Sequence, residues 1–382
     1  MAHHPLIKIH LIAALILGLL FACKEPYEPP AVKTNPNLLV VDGILFQGND
    51  SSILTISHTR LLTDTGSRNP ELNAGVTLVD ESGSAISFAE TGNGRYAVGQ
   101  LNLNPSSTYR LLITLSNGLE YQSDPMPVKI TPPIDSLEWT QDSTGAHFFV
   151  NTHDPSNQTR YYRYEYVESW EYHAAFQSDF EYVNGEVVLR PVMDRLYICF
   201  QSLPSANINV TTSNRLTDDV IYHFHLYTVP IMSEKLGFRY STLVNQYAIG
   251  EEAYHYWSDL KKNTEQLGTL FDAQPYTPQE GNIHNINNPQ EIVLGYMSIS
   301  TLQSKRIFID HGQLDGWGYL PYYGTCDVRI TIPDSAFYYF PPGGNIFFTF
   351  IGTNMGFLLY STSLCGDCRW HGGSNVKPPF WP

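Results

Sequence analysis

Charge is scarce in this chain. Only 15% of its 382 residues are Asp, Glu, Lys or Arg, against about 25% in an ordinary soluble domain. Basic residues are scarcer still: 22 Lys and Arg against 37 Asp and Glu leave a net charge of -15. A surface of that sign repels phosphate backbones, which excludes generic nucleic-acid binding. Long apolar runs are missing apart from one near residue 11. The sequence also lacks a Gly-x-Ser-x-Gly elbow, a His-Glu-x-x-His zinc motif and a phosphate-binding glycine loop,. No catalytic set is read from it, and neither a cofactor nor a metal site is expected. Against these shortages stand 42% hydrophobic residues, 13% aromatics, 28 Gly and 25 Pro. That is too apolar for a disordered chain and long enough for two or three domains.

His3, His4, Lys8 and His10 precede the apolar run Leu11 to Phe21. The run is too short to cross a bilayer core, which needs roughly 20 residues, and it suits the hydrophobic region of an export signal. It closes on Leu20-Phe21-Ala22-Cys23, which resembles the lipobox of bacterial lipoproteins. That resemblance implies a signal peptide over residues 1–22, diacylation of the Cys23 thiol, and acylation of the new amino terminus. Acyl chains contribute about 0.8 kcal/mol per buried methylene, so three of them hold a protein at a membrane almost permanently. Residues 23–37 read as an acidic, Pro-rich tether that opens Lys24-Glu25-Pro26-Tyr27-Glu28-Pro29-Pro30. This opening resembles the signal that sends Bacteroidota lipoproteins to the outer face of the outer membrane.

Beyond Cys23 the cysteines are Cys199, Cys326, Cys365 and Cys368. An even number in an oxidising compartment implies two disulfides, which can be joined in three ways. A bridge inside Cys365-Gly-Asp-Cys368 would close a very small, strained ring. Cys199 is therefore expected to pair with one tail cysteine and Cys326 with the other. A zinc ribbon would need a second ligand pair at similar spacing, and the sequence has none,.

The remaining pattern is mainly β. From 38 to 130, short apolar runs alternate with the turns Glu81-Ser82-Gly83, Asn93-Gly94 and Asn117-Gly118, as a β-sandwich requires. Their order looks like the transthyretin or carboxypeptidase-regulatory sandwich. A second β-rich domain over 131–382 has a fibronectin-III-like pattern, interrupted by an amphipathic helix expected at 250–267. That helix would bury Ala253, Tyr254, Trp257, Leu260 and Leu267 and end at Gly268. Residues 291–300 and 306–310 are expected to rejoin a sheet.

Aromatics supply the most informative clusters: nine of the 22 residues from Tyr161 to Tyr182 are aromatic. Tyr162, Tyr164, Tyr166, Trp170, Trp317 and Tyr322 fit either a sandwich core or a surface for a protein or glycan, because Tyr and Trp pair an apolar face with a polar tip. Glu165, Glu168 and Glu171 offer carboxylates for a glycosidase pair, or simply the wet face of a strand. His223-Phe224-His225 places two imidazoles on one strand, half of a metal site with no third ligand evident. Asp310-His311-Gly312-Gln313-Leu314-Asp315 superficially suggests a calcium loop but lacks the alternating acids.

One family resemblance gathers many of these stretches. Leu39-Val40-Val41-Asp42-Gly43, Glu251-Glu252-Ala253-Tyr254 through Trp257, Leu270-Phe271-Asp272 and Gly281-Asn282-Ile283 all take part. So do Gly295-Tyr296, Lys305-Arg306-Ile307-Phe308, Cys365-x-Asp367-Cys368 and Lys377-Pro378-x-Phe380-Trp381. Together they resemble the Bacteroidota lipoproteins catalogued as domain of unknown function 4249. The resemblance implies no catalytic residue. Members are often encoded beside TonB-dependent receptors, which implies an accessory role as a receptor partner. A free-standing glycan- or peptide-binding module and a glycoside hydrolase are the alternatives.

Overall fold

The computed structural model describes residues 37–60, 69–183, 186–191, 194–265, 281–321, 323–332, 335–339 and 348–382. Residues 1–36, with the expected signal, Cys23 and all but the last residue of the expected tether, lie outside these residues, as do Leu267, Gly268, Leu270-Phe271-Asp272 and Tyr322. The described chain is mainly β. None of its helices is long and apolar enough to cross a membrane.

Alternation of side chains builds the first body. In strand Ser52–His58, Leu54 and Ile56 are fully buried while Ile53 points outward, the period of two that a half-buried strand dictates. This strand lies between Leu39–Asp42 and Arg95–Val98 in one sheet. Asn93 and Gly94 both take positive φ at its neighbouring hairpin, where a twisted two-residue turn needs them. A Cβ at Gly94 would fall 2.4 Å from the Ile56 carbonyl oxygen. The facing sheet centres on Thr108–Thr114, paired with Gly75–Asp80, Glu120–Ser123 and Met126–Lys129.

Residues 38–130 do not complete this body. The chain returns after its helix: Ile283–Asn285 pairs antiparallel with Glu120–Ser123. Ser298–Ser300 then runs parallel to both Ile44–Phe46 and Met126–Lys129. Ile283, Val293, Met297 and Ile299 enter the same core as Leu39, Val41, Leu111 and Ile113. The two late stretches expected to rejoin a sheet thus join different ones, since Leu302–Asp310 pairs with Arg239–Ala248 in the second body.

The second body faces a three-stranded sheet against a larger one. The first orders Ile134–Gln141, Gly145–Asp154 and Asp219–Pro230; the second orders Ile198–Pro204, Tyr161–His173, Arg239–Ala248 and Leu302–Asp310. Between them pack Phe148, Val150, Tyr162, Tyr164, Tyr166, Trp170, Tyr172, Tyr227, Tyr240 and Val244. A smaller sheet of Arg329–Thr331, Phe357–Thr362 and Phe348–Asn354 follows.

Helix α1 spans Glu251–Glu265. Glu251 and Glu252 stand in its first turn, where carboxylates complement the helix dipole. Its buried residues are Ala253, Tyr256 and Trp257, so Tyr256 takes the core place expected of Tyr254. These three join Ile44, Tyr247 and Ile249 in a separate cluster. The Arg163 guanidinium lies 3.8 Å above the Trp257 ring, while its Nη2 bonds Glu165 at 2.7 Å.

Candidate functional site

The expected disulfides are present. Cys199 joins Cys368 and Cys326 joins Cys365, so each tail cysteine reaches a different part of the second body. Asp367 lies between the bridged positions and holds Arg369 at 2.8 Å.

The aromatic surface proposed for Tyr162, Tyr164, Tyr166, Trp170 and Trp317 is corrected by burial. All five are at most 7% exposed, and the first four alternate along Tyr161–His173 toward the sandwich interior. Tyr162 shows how a tyrosine's polar tip can be accommodated there. Tyr162 Oη donates to buried Asp219, which also accepts from Ser213, and the Tyr166 ring stacks 3.9 Å from that of Tyr227. Tyr164 is fully buried, which pushes its hydroxyl ionisation well above the ordinary range,.

The three glutamates cannot form a catalytic pair. Glu168 points inward: it is 6% exposed, accepts from Lys235 Nζ at 2.6 Å and from Tyr240 Oη at 2.8 Å. Glu165 and Glu171 lie on the opposite face, where Glu165 accepts from Tyr247 Oη at 2.9 Å and Glu171 meets His173 Nε2 at 2.9 Å. Six positions along a strand separate those two by about 20 Å, far beyond the roughly 5–9.5 Å that glycosidases require. The Asp310 stretch is a short turn rather than a calcium loop. Gln313 Oε1 accepts from the Asp310 amide at 2.8 Å, and Asp310 pairs with Arg239. Among the described residues no group of three or more His, Cys, Asp or Glu is placed to hold a metal ion.

What the fold does bring together is four of the stretches that carry the family resemblance, around Val41, Tyr256, Asn282 and Gly295. The Val41 amide donates to Leu294 O at 2.9 Å and the Leu294 amide to Leu39 O at 2.9 Å. Gly295 has a φ of 105°, and a Cβ there would fall 1.8 Å from Val41 O; one at Gly281 would fall 1.7 Å from Gly295 O. Backbone fills the space that a side chain would need. The Gly295 amide donates to Tyr256 Oη of α1 at 2.8 Å. Asn282 bonds Met297 twice, accepting at 2.8 Å and donating at 2.9 Å. Elsewhere Arg306 lies 3.7 Å over Phe380, and the Trp381 ring meets Phe308 edge-on at 5.7 Å.

Beside this joint opens a cleft of about 280 Å³. Met126, Ala253, Met297 and Ile299 supply apolar lining; Asp124, Lys129, Glu251, Glu252, Asn282 and Tyr296 supply polar groups. Tyr296 Oη donates to Glu252 at 3.3 Å, and burial, then the Glu252 charge, raises its ionisation. His284 holds Asp124 at 3.3 Å. The cleft lining thus sets charged and hydrogen-bonding groups beside an apolar wall. Sequence reading missed this cleft because its walls come from four separated segments.

Solved structures that align with this chain are distant. A DUF4785 family protein from Legionella pneumophila aligns at 14% identity over 55% of this chain and 52% of its own, with a TM-score of 0.20. A chitinase from Bacillus thuringiensis aligns at 11% identity over 48% of this chain and 30% of its own, with a TM-score of 0.15. The chain therefore spans about half of the first and under a third of the second. No curated protein matches the sequence. Residues 24–306 match the family described as Domain of unknown function (DUF4249), and the chain belongs to that family.

Proposed function

We propose that this chain is a surface-exposed outer-membrane lipoprotein, anchored through acylated Cys23, and a non-enzymatic accessory subunit of a TonB-dependent receptor. Its task in that complex is substrate capture or assembly. The observation that carries the reading is Leu20-Phe21-Ala22-Cys23 followed at once by Lys24-Glu25, an anchor and an export signal back to back. Family membership supports it through the genomic company that the resemblance implies. A β-body clamped by two disulfides suits an oxidising exterior. The cleft beside α1 is the recess we assign to the partner. The glycan-module reading loses its main support, because its aromatic platform is core. The hydrolase reading loses its carboxylate pair.

Metabolic labelling with a clickable palmitate, followed by gentle detergent extraction and affinity purification, tests this function. The expected result is a labelled chain recovered with a large β-barrel receptor, and loss of label in Cys23→Ala. An unlabelled chain, or one repeatedly recovered alone, would overturn it.

A further inference from the structure

The sequence pairs His223 with His225, but the fold separates them. His223 has a positive φ of 53°, and its ring lies flat against Phe149 with centroids 3.8 Å apart. His225 faces His147 of the neighbouring strand instead, with ring centroids 5.9 Å apart. His147 Nδ1 lies 2.8 Å from Thr228 Oγ1, and His225 Nε2 lies 2.9 Å from the same oxygen. Two imidazole nitrogens from adjacent strands therefore converge on one hydroxyl.

The far side of His147 is already committed. Its Nε2 lies 2.9 Å from Asp142 Oδ1 and 3.2 Å from Thr144 Oγ1. A carboxylate only accepts, so the proton of the neutral ring belongs on Nε2, and Nδ1 presents a lone pair toward Thr228. Metal-binding imidazoles are oriented in this way, with the second nitrogen donating to a carboxylate. The Thr228 hydroxyl has one proton and can donate to one of the two nitrogens at a time, whereas a cation held between them, with that hydroxyl turned aside, meets both. His225 is exposed and the His147 side chain keeps 20% of its surface, so the pair is reachable from solvent. No third His, Cys, Asp or Glu completes the group among the described residues. Remaining coordination positions fall to water or to a donor brought from outside.

We infer that His147 and His225 form an open two-histidine site for a divalent transition-metal ion, with Asp142 as its positioning residue. Imidazole ligands suit zinc, nickel and copper, whereas magnesium and calcium favour oxygen. The inference stands apart from the lipid anchor and from any receptor.

Zinc and cupric ions alone are the probes, titrated into the purified chain lacking residues 1–22, which removes His3, His4 and His10, and carrying no histidine tag. One ion should bind per pair, and the cupric EPR spectrum of the unaltered chain should show two imidazole nitrogens. His147→Gln and His225→Gln should each weaken binding at least tenfold and leave one nitrogen. Asp142→Asn should weaken binding about 10- to 100-fold while keeping both nitrogens. Absence of binding at millimolar metal, a spectrum without two imidazoles, or affinity unchanged in both histidine variants would overturn the site. Unchanged affinity in Asp142→Asn would remove the role given to that carboxylate. The spectrum of the unaltered chain decides the matter even where a variant fails to fold.

Discussion

The Tyr172 hydroxyl donates to the Cys368 carbonyl oxygen at 2.9 Å and accepts from the Gly373 amide at 3.0 Å. Tyr172 stands opposite Cys199 in the sheet, and Cys199 is the residue bridged to Cys368. One cross-strand pair thus holds the tail twice, by a covalent bond and by a buried phenol. Burial accounts for the rise of the Tyr172 ionisation to about 12, so the phenol keeps its proton throughout the physiological range.

That double attachment predicts unequal roles for the two disulfides. The Cys199–Cys368 bridge spans 169 residues and the Cys326–Cys365 bridge 39. Removing a native disulfide costs about 2–5 kcal/mol, more for longer loops in the chain-entropy account. The double variant Cys199→Ser/Cys368→Ser should lose more stability than Cys326→Ser/Cys365→Ser. Denaturant midpoints at unchanged m-value measure both; the reverse order would show that local packing outweighs loop length.

Gly295→Ala should be among the most damaging single substitutions in the first body. The new methyl group would meet the Val41 carbonyl oxygen at 1.8 Å and would have to adopt a φ of 105°. Overpacking and a left-handed backbone together cost about 2–6 kcal/mol. A denaturation midpoint within experimental error of the parent would refute this account of the joint.

Much of the strand pattern was legible because its signals are local. Leu54 and Ile56 alternate with outward neighbours, and Asn93-Gly94 can hardly be anything but a tight turn. The four cysteines beyond Cys23 revealed their bridging because two sit in one short tail. Two other features depend on distant chain. Tyr162, Tyr164 and Tyr166 alternate with Arg163 and Glu165, a pattern that marks one face apolar without saying whether another sheet covers it. The opposite sheet, carrying Phe148 and Tyr227, decides that. Likewise nothing near Ile299 announces that it will lie between Leu45 and Val128, more than 150 residues earlier in the chain.

Docking of α1 rests on Trp257, which is 7% exposed beneath the Arg163 guanidinium. Trp257→Ala should cost about 3–5 kcal/mol, as large-to-small core changes do. Arg163→Ala removes a contact worth about 0.5–2 kcal/mol. The two side chains touch directly, so Arg163→Ala and Trp257→Ala should be non-additive in a double-mutant cycle. A coupling energy near zero would mean that the stacking contributes nothing beyond proximity.

Acid should probe the outer face of Tyr161–His173. The hydrogen bond from His173 holds the Glu171 carboxyl below its ordinary value, with burial opposing and Trp381 and Arg239 assisting. A carboxylate with a depressed folded-state pKa adds stability that is fully present above its unfolded value of about 4.3. That increment is lost as pH falls through the lower folded value. Stability of the unaltered chain should therefore decline below about pH 4.5 more steeply than that of Glu171→Gln, which carries no titrating carboxyl at this position. Denaturant unfolding of both proteins between neutral and acid pH gives the comparison. Parallel curves would show that Glu171 and His173 are neighbours without thermodynamic linkage, whereas convergence at low pH would show that the pair contributes to folding only while Glu171 is ionised.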